Sequence, residues 1–134
     1  MTTKQGFRPV SNPEAVTPAW EWLPAEAITP KVGLCLAWDS SSGQLEVSQT
    51  PAYICMMEAA SAVAAGTLIP VMSVKGWEFE AVLDGDNSNV KPGLKVKPAS
   101  GGMLVDADGT SSANFTITYA AGTTAGSVVR GKFD

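Results

Sequence analysis

The chain has 134 residues, a mass of 13.9 kDa and a formal net charge of −4. Such a length fits one hydrophobic core, and the acidic balance argues against a protein that holds nucleic acid by neutralising its phosphates. Hydrophobic residues make up 45% of the chain and charged residues only 16%, so few charges are left to coat a solvated surface, and we expect part of that surface to be buried against partner proteins.

The first 30 residues differ from the rest because five of the nine prolines fall there, at positions 9, 13, 18, 24 and 30. Each proline fixes φ and removes a backbone donor, which excludes a regular helix and a paired central strand. The stretch is nevertheless too apolar for a solvated tail. We therefore predict an extended Pro-rich N-terminal arm over residues 1–30 and a single β domain over residues 31–134.

The apolar side chains of this arm need a surface to lie on. That surface is either the chain's own domain, where the arm would cover a sheet edge, or a neighbouring protein. Tryptophan is enriched at protein interfaces because it combines a large apolar area with a polar N–H group, so Trp20 and Trp22 are the predicted anchors. The full set of predicted contact residues is Phe7, Pro9, Val10, Val16, Trp20, Trp22 and Leu23.

From residue 31 onward, short apolar or alternating segments are separated by turns rich in Gly, Asp and Ser, which is the pattern of an all-β domain. We predict strands near residues 32–38, 44–48, 53–57, 67–74, 77–83, 94–97, 103–105, 115–119 and 128–133. The alanine-rich segment 58–65 supports either two helical turns or a loop. The spacing predicts a mainly β fold, a small β-barrel or β-sandwich with an extended N-terminal arm and at most one short helix.

The clearest strand signal is the alternation over residues 77–83. Trp77 and Phe79 share one face, which we expect to be buried, while Glu78 and Glu80 share the other. Two carboxylates on one strand face raise the idea of a glycosidase pair. The alternation alone also explains them as the solvated side of an amphipathic strand.

Two further residues carry predictions about position. Trp38, at the end of the first predicted strand of the domain, is expected in the core, as is usual for a large aromatic residue in an apolar run. Pro70 predicts that the strand over residues 67–74 lies at an edge or carries a bulge, because proline cannot donate to a second neighbouring strand.

The chain contains no histidine, which removes the commonest general base, the usual metal ligand and the partner of an activated Ser or Cys nucleophile. Asp84, Asp86 and Ser88 have the every-second-residue spacing of a calcium-binding loop, although the later Gly and Glu of that motif are missing. A hairpin turn is the alternative for the same residues. We predict no catalytic residue, no bound metal and no cofactor.

The two cysteines, Cys35 and Cys55, both lie in apolar runs. They are expected to be buried free thiols, and a disulfide between them is the alternative. The first residues lack the apolar core of a signal peptide, and no segment reaches the roughly 20 apolar residues needed to cross a bilayer. We therefore expect a protein made and folded in a cytoplasm, without a membrane anchor.

Three segments resemble the lambda-type head decoration proteins of tailed bacteriophages. They are a Thr-Pro entry with a hairpin over residues 29–45, an apolar strand leading into alanines over 53–60, and a Gly-aromatic-x-aromatic motif within 71–79. The likeness covers roughly residues 1–83, and the chain departs from it after residue 84, where about fifty further residues form additional strands. The resemblance implies a β-tulip-like domain that trimerises at three-fold positions on the virion surface, where the arm adds to strands of the major capsid protein.

The leading hypothesis is a non-enzymatic capsid decoration protein that stabilises a phage head by apolar contact and β-augmentation through residues 1–30. Its partners would be the major capsid protein and further copies of itself as a homotrimer, with no nucleic acid and no membrane. A carbohydrate-binding or adhesin-type β-sandwich that stacks sugars on exposed tryptophans is the alternative. A hydrolase that uses Glu78 or Glu80 is the third hypothesis.

Overall fold

The computed structural model describes residues 5–12 and 19–134. Across these ranges the chain forms eleven strands and no helix, and hence no helix that could span a membrane. The strands are β1 (Arg8–Ser11), β2 (Trp20–Ala25), β3 (Cys35–Asp39), β4 (Gln44–Val47), β5 (Tyr53–Cys55), β6 (Thr67–Ser73), β7 (Glu78–Val82), β8 (Lys95–Pro98), β9 (Val105–Asp106), β10 (Phe115–Ala120) and β11 (Val128–Phe133). The predicted mainly β fold is confirmed.

The strands form two layers. Five of them close into a barrel in the order β2-β4-β3-β5-β6, and the other six form a sheet in the order β1-β7-β11-β10-β8-β9. The β3–β4 hairpin and the β10–β11 hairpin are antiparallel, as are the other strand pairs apart from β2–β4, which is parallel and meets only at Ala25 and Leu45. The fold therefore combines a small barrel with a second layer, as in a sandwich.

The barrel strands β3, β5 and β6 serve two hydrophobic cores at once, because successive side chains of a strand point to opposite faces. Cys35 pairs with Ile54 and Ile54 with Met72, and these three side chains leave the barrel and enter the core between the layers. The residues that alternate with them fill the barrel interior, namely Leu36, Cys55 and Val71. The two layers consequently share three strands and cannot pack independently.

The core between the layers is built around four phenylalanines, Phe7, Phe79, Phe115 and Phe133. Phe115 and Phe133 lie 4.8 Å apart between ring centroids, and Phe7 contacts both at 5.5 Å. Aromatic pairs at such tilted or edge-on geometries contribute roughly 0.5–1.5 kcal/mol beyond the burial of their area. The alternation over residues 77–83 is confirmed, since Phe79 has no exposed surface and Trp77 is 8% exposed.

The described parts of the predicted arm are extended, but they belong to the β domain. β1 pairs with β7, and β2 pairs with β6 along its whole length. Just before β1 the backbones of Gly6 and Gly33 touch: Phe7 N donates to Gly33 O at 2.9 Å, and a Cβ at Gly33 would lie 2.6 Å from that nitrogen. Burial of the Phe7 ring thus fixes the N-terminal segment against its own domain, and the structure shows no divide at residue 30.

Pro70 lies in a central strand, so the prediction of an edge or a bulge is wrong. β6 has β2 on one side and β5 on the other. The Pro70 carbonyl accepts from Met56 N at 2.9 Å, one residue beyond the end of β5. Because the N and O atoms of a strand residue point to the same side, the missing N–H faces the end of β5, where no ladder bond is lost.

The alanine-rich segment 58–65 is a loop. Ala59 N donates to Pro30 O at 3.1 Å and Val63 N to Ile28 O at 2.9 Å. These amides bond to a distant segment and not to the preceding helical turn, which fits the weak tendency of so short a sequence to form a helix by itself. The chain therefore crosses between β5 and β6 without a helix.

Candidate protein-contact site

The outer wall of the barrel at β2 and β6 carries an exposed apolar surface. Trp20 and Trp22 point to the same face of β2, and across the ladder Trp22 is opposite Pro70. Leu68, two residues before Pro70, is the diagonal neighbour of Trp22 on that face, at a distance that large side chains can span. We call Trp20, Trp22 and Leu68 the tryptophan patch.

The three side chains of the tryptophan patch are more than half exposed, at 56% for Trp20, 62% for Trp22 and 55% for Leu68. Directly opposite Trp20, Met72 is buried between the layers, so the patch begins where the interior ends. Single exposed apolar residues are ordinary, whereas a group that includes two tryptophans on one face is a pattern typical of contact surfaces.

Trp38 is 45% exposed, and the prediction that it belongs to the core is wrong. It lies opposite Leu45 and so points toward the inner side of the barrel wall. However, it is the last residue before Asp39 and the turn that follows, so its ring lies at the mouth of the barrel. There it meets the Tyr53 ring edge-on at 6.0 Å.

Charge divides the described residues unevenly between the two layers. The barrel region, residues 19–74, has five acids against one base, Lys31; the acids are Glu21, Glu26, Asp39, Glu46 and Glu58. The sheet region, residues 5–12 and 75–134, has seven acids and seven bases. The barrel region that carries the tryptophan patch therefore has an excess of negative charge, which favours a partner surface of positive charge.

Three of the barrel acids, Glu26, Asp39 and Glu46, bring carboxylate oxygens within 4.8 Å of one another. The Ser42 hydroxyl donates to Glu26 Oε2 at 2.6 Å and acts to lower the pKa of Glu26, but the hydrogen bond shared with Asp39 and the charges of Asp39 and Glu46 outweigh it and raise that pKa. The hydrogen bond from Glu26 and the Ser41 amide lower the pKa of Asp39. Exposed acids of this kind are common on protein surfaces, and this group alone does not define a metal site.

Glu78 and Glu80 lie in a polar network on the outer face of the sheet region. Glu78 accepts a hydrogen bond from Thr118 Oγ1 at 2.6 Å. Glu80 pairs with Arg130 at 3.2 Å and, more loosely, with Arg8 at 3.9 Å. Both carboxylates thus connect β7 to other strands of the same sheet, which is the arrangement of the solvated strand face and not that of two acids facing each other across a cleft.

Asp84 and Asp86 each accept a backbone hydrogen bond from a different loop. Asp84 Oδ1 accepts from Ala107 N at 3.0 Å, and Asp86 Oδ1 accepts from Ala125 N at 2.8 Å. Each carboxylate therefore fixes a different neighbouring loop of the sheet region by a backbone hydrogen bond. The strands on either side of these residues, β7 and β8, do not pair with each other, so the hairpin-turn alternative is wrong, and the two aspartates instead join this loop to two other loops.

Cys35 and Cys55 are free thiols on opposite faces of the same wall. The register pairs Cys35 with Ile54, so the next residue, Cys55, points into the barrel while Cys35 points to the core between the layers. Burial raises the pKa of Cys35 well above its usual value. Burial also raises the pKa of Cys55, partly offset by its hydrogen bonds to backbone groups such as Met57 O.

The predicted contact residues are distributed over both layers. Trp20 and Trp22 lie in the tryptophan patch, and Leu23 points inward and packs against the barrel core. Pro9 is partly buried in β1, and Val10 beside it is 40% exposed. Phe7 has no exposed surface, so as a surface contact it is excluded. Val16 lies outside the described residues.

Sequence reasoning missed Leu68 as a contact residue and misplaced Trp38. Both are apolar residues in strands, and the sequence pattern does not distinguish a strand end that opens to solvent from one that is covered.

No protein-family model matches this chain, and no curated protein is similar to it in sequence.

Proposed function

We propose that this chain is a structural, non-enzymatic protein that decorates a phage capsid and stabilises the shell by docking the barrel region on the major capsid protein. The tryptophan patch carries this proposal. Its two tryptophans are held rigidly by the β2–β6 ladder, and rigid aromatic anchors give binding energy at a low cost in conformational entropy.

The segments that carry the resemblance to decoration proteins support the proposal by where they fold. Residues 29–45 include the β3–β4 hairpin, residues 53–60 include β5, and residues 71–79 include the second half of β6 and the start of β7. Most of this likeness therefore falls in the barrel region, and four of the six strands of the second layer follow residue 84. A trimer on the virion surface, implied by the same resemblance, is part of the proposal.

The proposed mode of attachment differs from the one expected from the sequence, in which a free N-terminal arm extends onto the neighbouring capsid protein. β1 and β2 already pair within their own domain, and Phe7 is enclosed by its own core. The proposed contact is thus a fixed wall of the barrel, and the contribution of β2 is the outward face of a strand that stays in place.

Co-sedimentation with empty, expanded heads of the phage that encodes the chain tests the proposal. The double substitution Trp20→Ser and Trp22→Ser should weaken binding at least about tenfold, because buried tryptophans at interface centres typically contribute about 2 kcal/mol or more each. Trp38→Ser is the matched control, since this tryptophan is also exposed but lies at the barrel mouth. Wild-type binding by a folded double variant would refute the proposed contact.

Carbohydrate binding is the second candidate, favoured by one observation. Trp20 and Trp22 stand on one face two residues apart, roughly 7 Å along the strand, which is a spacing that allows stacking of adjacent sugar rings. A panel of oligosaccharides that quenches tryptophan fluorescence in the wild-type chain, and not in the double variant, would favour this function over capsid decoration.

A further inference from the structure

The barrel leaves part of β2 with a neighbour on one side only. β2 pairs with β6 at every residue from Trp20 to Ala25, but it meets β4 only at Ala25. Within residues 5–12 and 19–134, no further strand pairs with residues 20–24. Because an antiparallel strand directs alternate N–H and C=O groups to opposite sides, about half of these groups face away from β6.

The edges of the sheet region are protected along their length, whereas β2 has a protecting residue only at Pro24. β1 carries Pro9 and an irregular register between Pro9 and Ser11, and β9 has only two residues. Prolines, bulges and short strands are the usual means of preventing a sheet edge from pairing with another chain. In contrast, residues 20–23 are regular in register and exposed at their first three positions, and the proline of this strand, Pro24, lies after them at the end next to β4.

We propose that Trp20–Leu23 form an acceptor edge, to which an extended segment of the partner protein adds as a strand with a lysine or arginine beside Glu21. Backbone hydrogen bonds would supply part of the affinity, and side chains on the two faces would supply specificity. This inference rests on the proposed function for the identity of the partner, a shell subunit. It adds the conformation and charge of the segment that binds.

We expect the partner's segment to be positively charged because the barrel region has an excess of acidic residues. Glu21 is exposed in the middle of the edge, and the barrel region has five acids against one base. Opposite charges on adjacent strands stabilise a ladder and like charges destabilise it. A second copy of this chain would bring a second acidic barrel to the same edge, so charge repulsion disfavours pairing between two copies.

The two faces of β2 define what the incoming strand must present. Trp20 and Trp22 lie on the outer face, where β-branched apolar residues of the new strand would pack beside them. Glu21 lies on the other face, where the cationic side chains would lie. An alternating sequence of valine and lysine has this pattern.

Hydrogen exchange with two synthetic peptides tests the acceptor edge without any capsid. The probes are a blocked Val-Lys-Val-Lys-Val peptide and its Val-Glu-Val-Glu-Val counterpart. At saturation, the lysine peptide should slow exchange of the outward amides in residues 20–23 at least about tenfold, and the glutamate peptide should leave them unchanged. Glu21→Lys should remove this difference. Glu58→Lys makes the same change of net charge in a loop of the barrel region and should preserve it.

Several results would overturn the acceptor edge. They are equal slowing by both peptides, slowing at β1 or β9 in place of residues 20–23, no slowing with either peptide, and a dimer by sedimentation whose residues 20–23 are already protected without peptide. Capsid binding separates this inference from the proposed function. A chain that binds heads while residues 20–23 still exchange freely refutes the edge alone, and one that binds the lysine peptide but no heads refutes the function alone.

Discussion

The two layers of this protein use aromatic residues in opposite ways. The sheet region packs all four phenylalanines of the chain into or against the core and has equal numbers of acids and bases. The barrel region is filled with aliphatic side chains and holds three of the four tryptophans at its exposed surface. Apart from Tyr119, which is 50% exposed, the sheet region thus uses its aromatic side chains in the fold. The barrel region leaves three tryptophans exposed, which is why we place the proposed contact surface on the barrel.

The two cysteines allow the layers to be compared separately, since Cys35 reports on the shared core and Cys55 on the barrel interior. In variants that retain one thiol each, made by Cys35→Ala or Cys55→Ala, reaction with a disulfide reagent at pH 8 should be at least about a thousandfold slower than in the unfolded chain. Burial and the raised pKa both suppress the reactive thiolate. Because β3, β5 and β6 line both cores, the two rates should agree. A faster reaction of Cys55 would show that the barrel opens alone.

Phe7→Ala should destabilise the protein by about 3–5 kcal/mol, since it removes a ring that is fully enclosed by the shared core. Trp22→Ala is the matched control from the same N-terminal part of the chain. It should change the free energy of unfolding by no more than about 0.5 kcal/mol, because that side chain is mainly exposed. Urea denaturation of the two variants measures both values. A loss below about 1 kcal/mol for Phe7→Ala would mean that the N-terminal segment is not part of the fold.

The smallest expected effect concerns the carboxylates of the barrel wall. The pKa of Glu26 is raised in the folded chain, so its charge opposes folding at neutral pH, and the associated stability is present in acid and lost as the pH rises through that pKa. Glu26→Gln should therefore raise Tm slightly at pH 7 and leave it unchanged at pH 3. Glu58→Gln, in a loop outside the acidic group, controls for the change in net charge. An equal rise in both variants would contradict a local effect.

The alternation of apolar and polar residues along the sequence correctly predicted those features of the strands that depend only on residues close together in the chain. The alternation of Trp77 and Phe79 with Glu78 and Glu80 correctly gave the buried and solvated faces of β7, and the last strand was predicted over the residues it occupies, 128–133. A pattern of this kind is sufficient because side-chain direction along a strand follows from backbone geometry alone.

The features that escaped prediction depend on residues far away in the chain. Phe7 is in the core because Phe115 and Phe133 surround it, and Pro70 is central because β5 ends opposite its nitrogen. Trp38 is exposed because its strand ends at the mouth of the barrel. In the candidate site, the two tryptophans of β2 were predicted as contacts, whereas Leu68 joins them only through the register of β2 and β6.

The burial of Phe7 has a consequence for how the protein is made. Its aromatic neighbours lie at positions 115 and 133, so during synthesis the ring is made long before either of the two rings that enclose it. Long-range closure of this kind slows folding and keeps apolar surface open to wrong associations during synthesis. The period between translation of Phe7 and closure of this core is therefore the one in which the chain is most exposed to misassociation.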